Sequence, residues 1–240
     1  MNGLKRSKEK RMTLQEAHKL YNEKKYEEAF VAYERLAWEG NADAQTSLGY
    51  MYQQGQGVAK DEKKAIEWYE KAIEKEQPYA LFNLGLMYAN SSQYIAQDIE
   101  KAHELFLRSA IAGVELAQYE VALMFEQGAG CTQNYSEAAY WYEEAAKRGH
   151  KEAFNNLGVL YKEGRGVPQN FQRARVCFTR AAEMGLPAAQ YNLGMLYDRG
   201  EGVEQDHEKA LEWCRKAAFA GHAKAKQIIS GLQEEGRIVF

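Results

Sequence analysis

One spacing governs this chain. Leu48-Gly49 returns as Leu84-Gly85, Leu157-Gly158 and Leu193-Gly194, and Val121-Ala122 fills the slot between, in steps of 36, 37, 36 and 36 residues. Ala65, Ala102, Ala138, Ala174 and Ala210 keep nearly the same step, as do Asp61, Asp98, Asn134, Asn170 and Asp206. Three registers sharing one period imply stacked copies of a single small unit, each unable to bury its apolar face alone.

Each unit reads as two helices. From residue 42, Ala44, Leu48, Met51 and Tyr52 fall on one helical face. Gly49 predicts a close approach of the next helix. Gly55-Gln56-Gly57 ends the first helix, because glycine accepts the left-handed conformation of a C-cap. Asp61 suits an N-cap, where its carboxylate accepts from free backbone N–H groups. Ala65, Trp68, Tyr69 and Ala72 then mark the second helix. The units run over about 12–41, 42–77, 78–114, 115–150, 151–186 and 187–222, with a cap at 223–240. The first unit is shorter, with Asn22-Glu23-Lys24-Lys25 in place of the glycine loop. The tail Gly236 to Phe240 is expected to be loosely ordered, or its Val239 and Phe240 to fold back on the last pair. The expected fold is all-α: a single right-handed superhelical solenoid of about six helix-turn-helix repeats plus a C-terminal capping helix.

The pattern Ala42, Ala44, Leu48-Gly49, Tyr52, Gly55, Gly57-Val58, Asp61, Lys64-Ala65, Trp68-Tyr69 and Lys71-Ala72 resembles the Sel-one-like repeat, a relative of the tetratricopeptide repeat. It stands again from Ala188 to Ala217 with Cys214 in the last aromatic slot, and the resemblance covers about residues 42 to 222. Two units depart from it. Ser91-Ser92-Gln93-Tyr94-Ile95 replaces one glycine loop, and Val121-Ala122 with Cys131 alters the next unit. The resemblance implies a surface of first helices that takes extended peptides. It also implies roles in signalling, complex assembly or contact with host proteins.

Catalytic and cofactor chemistry finds little support. The chain carries 31 basic and 34 acidic side chains, a balance too even for a coat on nucleic acid or anionic membrane. No apolar run is long enough to span a bilayer, and no apolar segment follows the basic residues Lys5 to Arg11 as a secretory signal requires. Residues 1–11 are expected to be a disordered basic tail, and the protein cytoplasmic, or else secreted with its signal removed. Without a signal peptide the glycosylation sequons at Asn90 and Asn134 carry no meaning. The G-x-G loops lack the preceding strand and third glycine of a phosphate cradle. Ser7-Lys8-Glu9-Lys10 matches S-x-x-K without the companion elements of a β-lactamase. Cysteine-rich relatives described as β-lactamase-like resemble proteins with a disulfide in each repeat, and Cys131, Cys177 and Cys214 stand in different slots. Cys177 and Cys214 replace the tryptophan and the tyrosine of the second helix and read as small buried apolar residues. His150 and His222 are equivalent unit-end positions with no metal-ligand spacing. Neither a cofactor nor a metal is expected.

The first helices carry the functional expectation. The slot before the leucine holds Ser47, Asn83, Glu120, Asn156 and Asn192; one step earlier stand Thr46, Phe82, Tyr119, Asn155 and Tyr191. Tyr50 opens the row one step beyond the Leu-Gly pair, followed by Leu86, Leu123, Val159 and Met195. An asparagine amide offers donor and acceptor together and suits a peptide backbone. Flanking aromatics supply apolar area at low entropy cost. The expected contacts in a concave groove are therefore Asn83, Glu120, Asn156, Asn192, Phe82, Tyr119, Tyr191 and Tyr50, or else these rings pack adjacent units. Charges on second helices, such as Glu70, Lys71, Glu143, Glu144, Arg215 and Lys216, read as a solvated face. The expected function is a non-enzymatic adaptor for a protein or peptide partner. Its rivals are a structural subunit that self-associates weakly and, behind it, a β-lactamase-like or cell-wall enzyme.

Overall fold

A computed structural model describes residues 12–92 and 94–235. The basic tail 1–11, Gln93 and the segment 236–240 lie outside the described residues, and so do the expectations placed on them. Among the described residues there are thirteen α-helices and no strand. They are α1 (Leu14–Asn22), α2 (Tyr26–Trp38), α3 (Ala42–Gln54), α4 (Glu62–Ile73), α5 (Pro78–Asn90), α6 (Ile99–Ile111), α7 (Glu115–Gln127), α8 (Tyr135–Lys147), α9 (Lys151–Glu163), α10 (Phe171–Glu183), α11 (Pro187–Arg199), α12 (His207–Phe219) and α13 (Ala223–Glu234). These are the six pairs and the capping helix that the period predicts, arranged as a helical repeat solenoid. The chain divides into two compact units, one ending at Val114 and one beginning at Glu115. Within each, every helix packs on its neighbours in sequence. No helix among the described residues is long and apolar enough to cross a membrane.

The caps follow the ladder. Asp61, Asp98, Asn134, Asn170 and Asp206 each begin a second helix, with a side-chain oxygen accepting from a backbone N–H of the first turn. Each such bond satisfies a donor that the helix start leaves free. First helices use other acceptors: Asn41, Gln77 and, through ring Nδ1, His150 and His222. Gln45 and Gln190 are buried at equivalent positions, and each donates its amide to a carbonyl near the end of the preceding helix, at 3.2 and 3.3 Å.

The two glycines of each G-x-G loop do different work. Gly164 is the left-handed C-cap of α9, at φ 69°. Gly166 shares that φ, and a Cβ built on it would collide with the backbone of Tyr135 at the start of α8. The loop is thus a seat for the preceding second helix, fastened by Ser136 Oγ donating to the Gly166 carbonyl at 2.9 Å. The unusual loop after α5 has no such glycines; there Ile95 is buried and its carbonyl accepts from Ser92 N–H at 2.8 Å.

The second-helix ring lies against the first-helix glycine. A Cβ on Gly49 would meet the Tyr69 ring at 2.8 Å, on Gly85 the Phe106 ring at 2.8 Å, and on Gly158 the Phe178 ring at 2.7 Å. Tyr33, Tyr69, Phe106, Tyr142 and Phe178 hold this ring position, all fully or almost fully buried. Cys214 holds it in the last pair, where the nearest side-chain atom to a Cβ on Gly194 is the Cys214 Sγ at 3.1 Å.

Candidate functional site

The buried tyrosines set the polar chemistry of the first-helix face. Each ends in a hydroxyl that burial obliges to find partners. Tyr33 is hydrogen-bonded by Ser47, and burial raises its hydroxyl to about 12. Tyr69 donates to Gln53 Oε1 at 2.8 Å and is also hydrogen-bonded by Asn83; burial pushes its hydroxyl far above the usual phenol value. Tyr142 donates to Glu126 Oε2 at 2.6 Å and accepts from Asn156 Nδ2 at 3.2 Å. Burial first, and then the Glu126 carboxylate, raises it likewise. In all three repeats the slot residue fourteen positions after the tyrosine clasps its hydroxyl.

The asparagines are therefore engaged within the fold. Asn192 Nδ2 donates to Asn155 Oδ1 at 2.9 Å, and Asn155 Nδ2 donates to Asn156 Oδ1 at 3.2 Å. With the bonds through Tyr142 this makes one chain of polar groups from α11 through α9 and α8 to Glu126 on α7. Asn156 accepts one bond and donates to Tyr142 and Tyr119, which spends most of its capacity. Sequence reasoning missed this clasp, although the recurrence of Tyr with Ser or Asn at one fixed offset was its signal.

The other expected contacts divide by burial. The Phe82 ring is 8% exposed and packs 5.6 Å from Phe106, so it supports the face from beneath and presents little of itself to a partner. Tyr119 is half-buried and stacks on His150 at 4.2 Å between ring centroids. Tyr191 repeats the arrangement on His222 at 4.5 Å. The two histidines thus cap a helix with one nitrogen and shelve a tyrosine with the ring face, as their equivalence suggests. Burial, and then Lys224, holds the His222 ring below the usual histidine value. Glu120 is half-buried, and burial raises its carboxyl above the usual carboxylate value. Tyr50 is 38% exposed.

Two clefts gather several of these residues. In the first unit, Tyr50, Asn83, Tyr21, Tyr33, Thr46 and Ser47 line a hollow of about 360 Å³. In the second, Tyr191 and Asn192, with Pro187, Ala188, His222 and Lys224, line an open and mostly apolar cleft of about 670 Å³. Asn156 on α9 and Tyr119 on α7 are joined by a hydrogen bond in the same unit. Cys177 is buried, and burial, followed by Glu143, pushes its thiol up to about 12, against any role as a nucleophile.

A family model for the Sel1 repeat matches residues 42–76, 78–114, 116–150, 152–186 and 187–222. The chain belongs to the Sel1-repeat family. A crystal structure of a Sel1 repeat protein from Oxalobacter formigenes superposes with a TM-score of 0.82 at 32% identity, over 92% of this chain and 87% of that one. Chitin synthase regulatory factor 3 of Schizosaccharomyces pombe is 35% identical over 133 residues, which are 55% of this chain and 14% of that protein. The exopolysaccharide production negative regulator of Rhizobium meliloti is 28% identical over 151 residues, 58% of this chain and 56% of the regulator. This Sel1-repeat chain therefore spans only part of the regulators it matches. The first unit's opening pair, α1 and α2, precedes the matched repeats.

Proposed function

We infer that this Sel1-repeat protein is a non-enzymatic adaptor that holds a peptide segment of a protein partner on the faces of its first helices. The observation that carries this reading is the pair of aromatic-lined clefts, one in each unit, at the positions named from the repeat register. Each joins exposed or half-buried tyrosine to amide, the mixture that anchors an extended chain. Tyr50 and Tyr191 are its apolar anchors, with Asn192 and, beyond its bond to Tyr69, Asn83 in the same clefts and Glu120 on α7 as polar contacts. Asn156 and Tyr119 contribute through what their internal bonds leave over, and Phe82 through support. Two relatives named as regulators, one of chitin synthase and one of exopolysaccharide production, support a regulatory setting for such an adaptor.

Photo-crosslinking tests the face. A benzophenone side chain is placed at Tyr50 or Tyr191 and, in parallel, at exposed second-helix residues Tyr140 or Val176. The adaptor reading expects one partner to crosslink from Tyr50 and Tyr191 and to fall away when an excess of its own peptide is added. Crosslinking from Tyr140 and Val176 alone would move the interface to the second helices and overturn the assignment.

A further inference from the structure

The last pair breaks the ring rule and leaves a hollow in its place. Its ring position is Cys214, and the slot residue fourteen positions on is Ile228, where the other repeats have Ser47, Asn83, Glu120, Asn156 and Asn192. A half-open hollow of about 500 Å³ lies there, lined by Met195, Leu211, Cys214, Ile228 and Leu232, with Asp198 and His207 at its rim. Asp198 is the repeat equivalent of Gln53 and Glu126, the two acceptors that take the hydroxyl protons of Tyr69 and Tyr142 at 2.8 and 2.6 Å. Its Oδ1 pairs with the His207 ring, Nδ1 to Oδ1 3.0 Å, and the half-exposed carboxylate stands at the rim, where a further donor can reach it.

The cavity therefore has one wall of thioether and aliphatic carbon, a thiol over Gly194, and a carboxylate where a phenol hydroxyl ends in two other repeats. A para-substituted phenol matches that set. Its ring takes the place of the absent tyrosine ring, and its hydroxyl donates to Asp198. A saturated chain would fill the apolar wall without using the carboxylate, and an anion would face it with like charge. We propose that the hollow between α11, α12 and α13 is a binding site for a para-substituted phenol, a ligand that completes the sixth repeat as Tyr69 and Tyr142 complete theirs. Met195 and Ile228 hold the register positions of Tyr50 and Asn192, so the site adjoins the adaptor face, but it does not depend on that reading.

The probe is p-cresol, with toluene beside it, titrated into the full chain and followed by calorimetry and by the methyl resonance of Met195. The expected result is saturable binding of p-cresol that shifts Met195. Cys214→Tyr, which builds the ring in, lowers that binding at least about tenfold. Asp198→Ala weakens p-cresol by roughly fivefold, the worth of one hydrogen bond, and leaves toluene unchanged. Competition by N-acetyl-tyrosinamide marks a peptide tyrosine as the source, and its failure marks a free phenol; both leave the phenol site standing. Three outcomes would overturn the proposal. One is no shift at Met195 in the wild type. Another is equal binding to a folded Cys214→Tyr variant. The third is toluene binding as tightly as p-cresol. The Met195 resonance keeps the test decisive even if Cys214→Tyr does not fold.

Discussion

At the scale of single residues, the first-helix face is decided by which buried hydroxyls need partners. Ser47, Asn83 and Asn156 answer Tyr33, Tyr69 and Tyr142. Where the ring position is phenylalanine the slot is released: Asn192 turns to Asn155, and Glu120 is a half-buried acid. Glu120 gives a signed pH prediction. Its folded carboxyl lies above its ordinary value through burial, so the folded state binds more protons than the unfolded one between those two values. Stability therefore falls as pH rises through that window, and the loss is complete above the folded value. Glu120→Gln should raise the melting temperature near neutral pH, and the gain should vanish below the ordinary glutamate range. An equal gain at both ends would show that ionisation is not the cause.

At the scale of elements, loops and caps were the most legible part of the chain. The Asp/Asn ladder predicted five second-helix starts, and all five cap as expected, because an N-cap depends only on residues within one turn. The G-x-G loops were legible as turns, but the seat that the second glycine makes for the preceding second helix was not. That contact joins residues about thirty positions apart, as in Tyr135 and Gly166. The difference can be measured. Gly166→Ala meets both a left-handed φ and a backbone collision, whereas Gly164→Ala meets the same φ with a side-chain neighbour at 3.2 Å. The strain of a left-handed alanine is about 1–2 kcal/mol. Gly164→Ala should cost about that in urea unfolding, and Gly166→Ala clearly more. Equal costs would mean that the loop is not seated on α8.

At the scale of the whole molecule, each helix packs within its unit on its neighbours in sequence, so damage should remain local. Tyr142→Phe removes the hydroxyl between Glu126 and Asn156 and leaves both short of a partner. A loss of about 1–3 kcal/mol is expected from the unpaired groups. Hydrogen exchange should report it in α7 to α9, with protection in α1 to α4 unchanged. A uniform loss across all helices would instead show the chain opening as one body.

Everything that repeats or acts within a turn could be read from the residues alone. The 36-residue step, the paired helices, the N-cap ladder, the glycine turns and the core faces all follow from period and local chemistry, and they suffice to name the Sel1 repeat. How the polar groups on those helices are used was settled by packing in three dimensions. Asn83 and Asn156 look free on a helical wheel, yet each is tied to a tyrosine from the preceding helix. Phe82 looks like an anchor, yet it lies under the face against Phe106. The physical reason is that burial makes a hydroxyl or a ring seek partners wherever the fold brings them. A side chain's remaining capacity to bind is known only once the neighbours that claim it are in place.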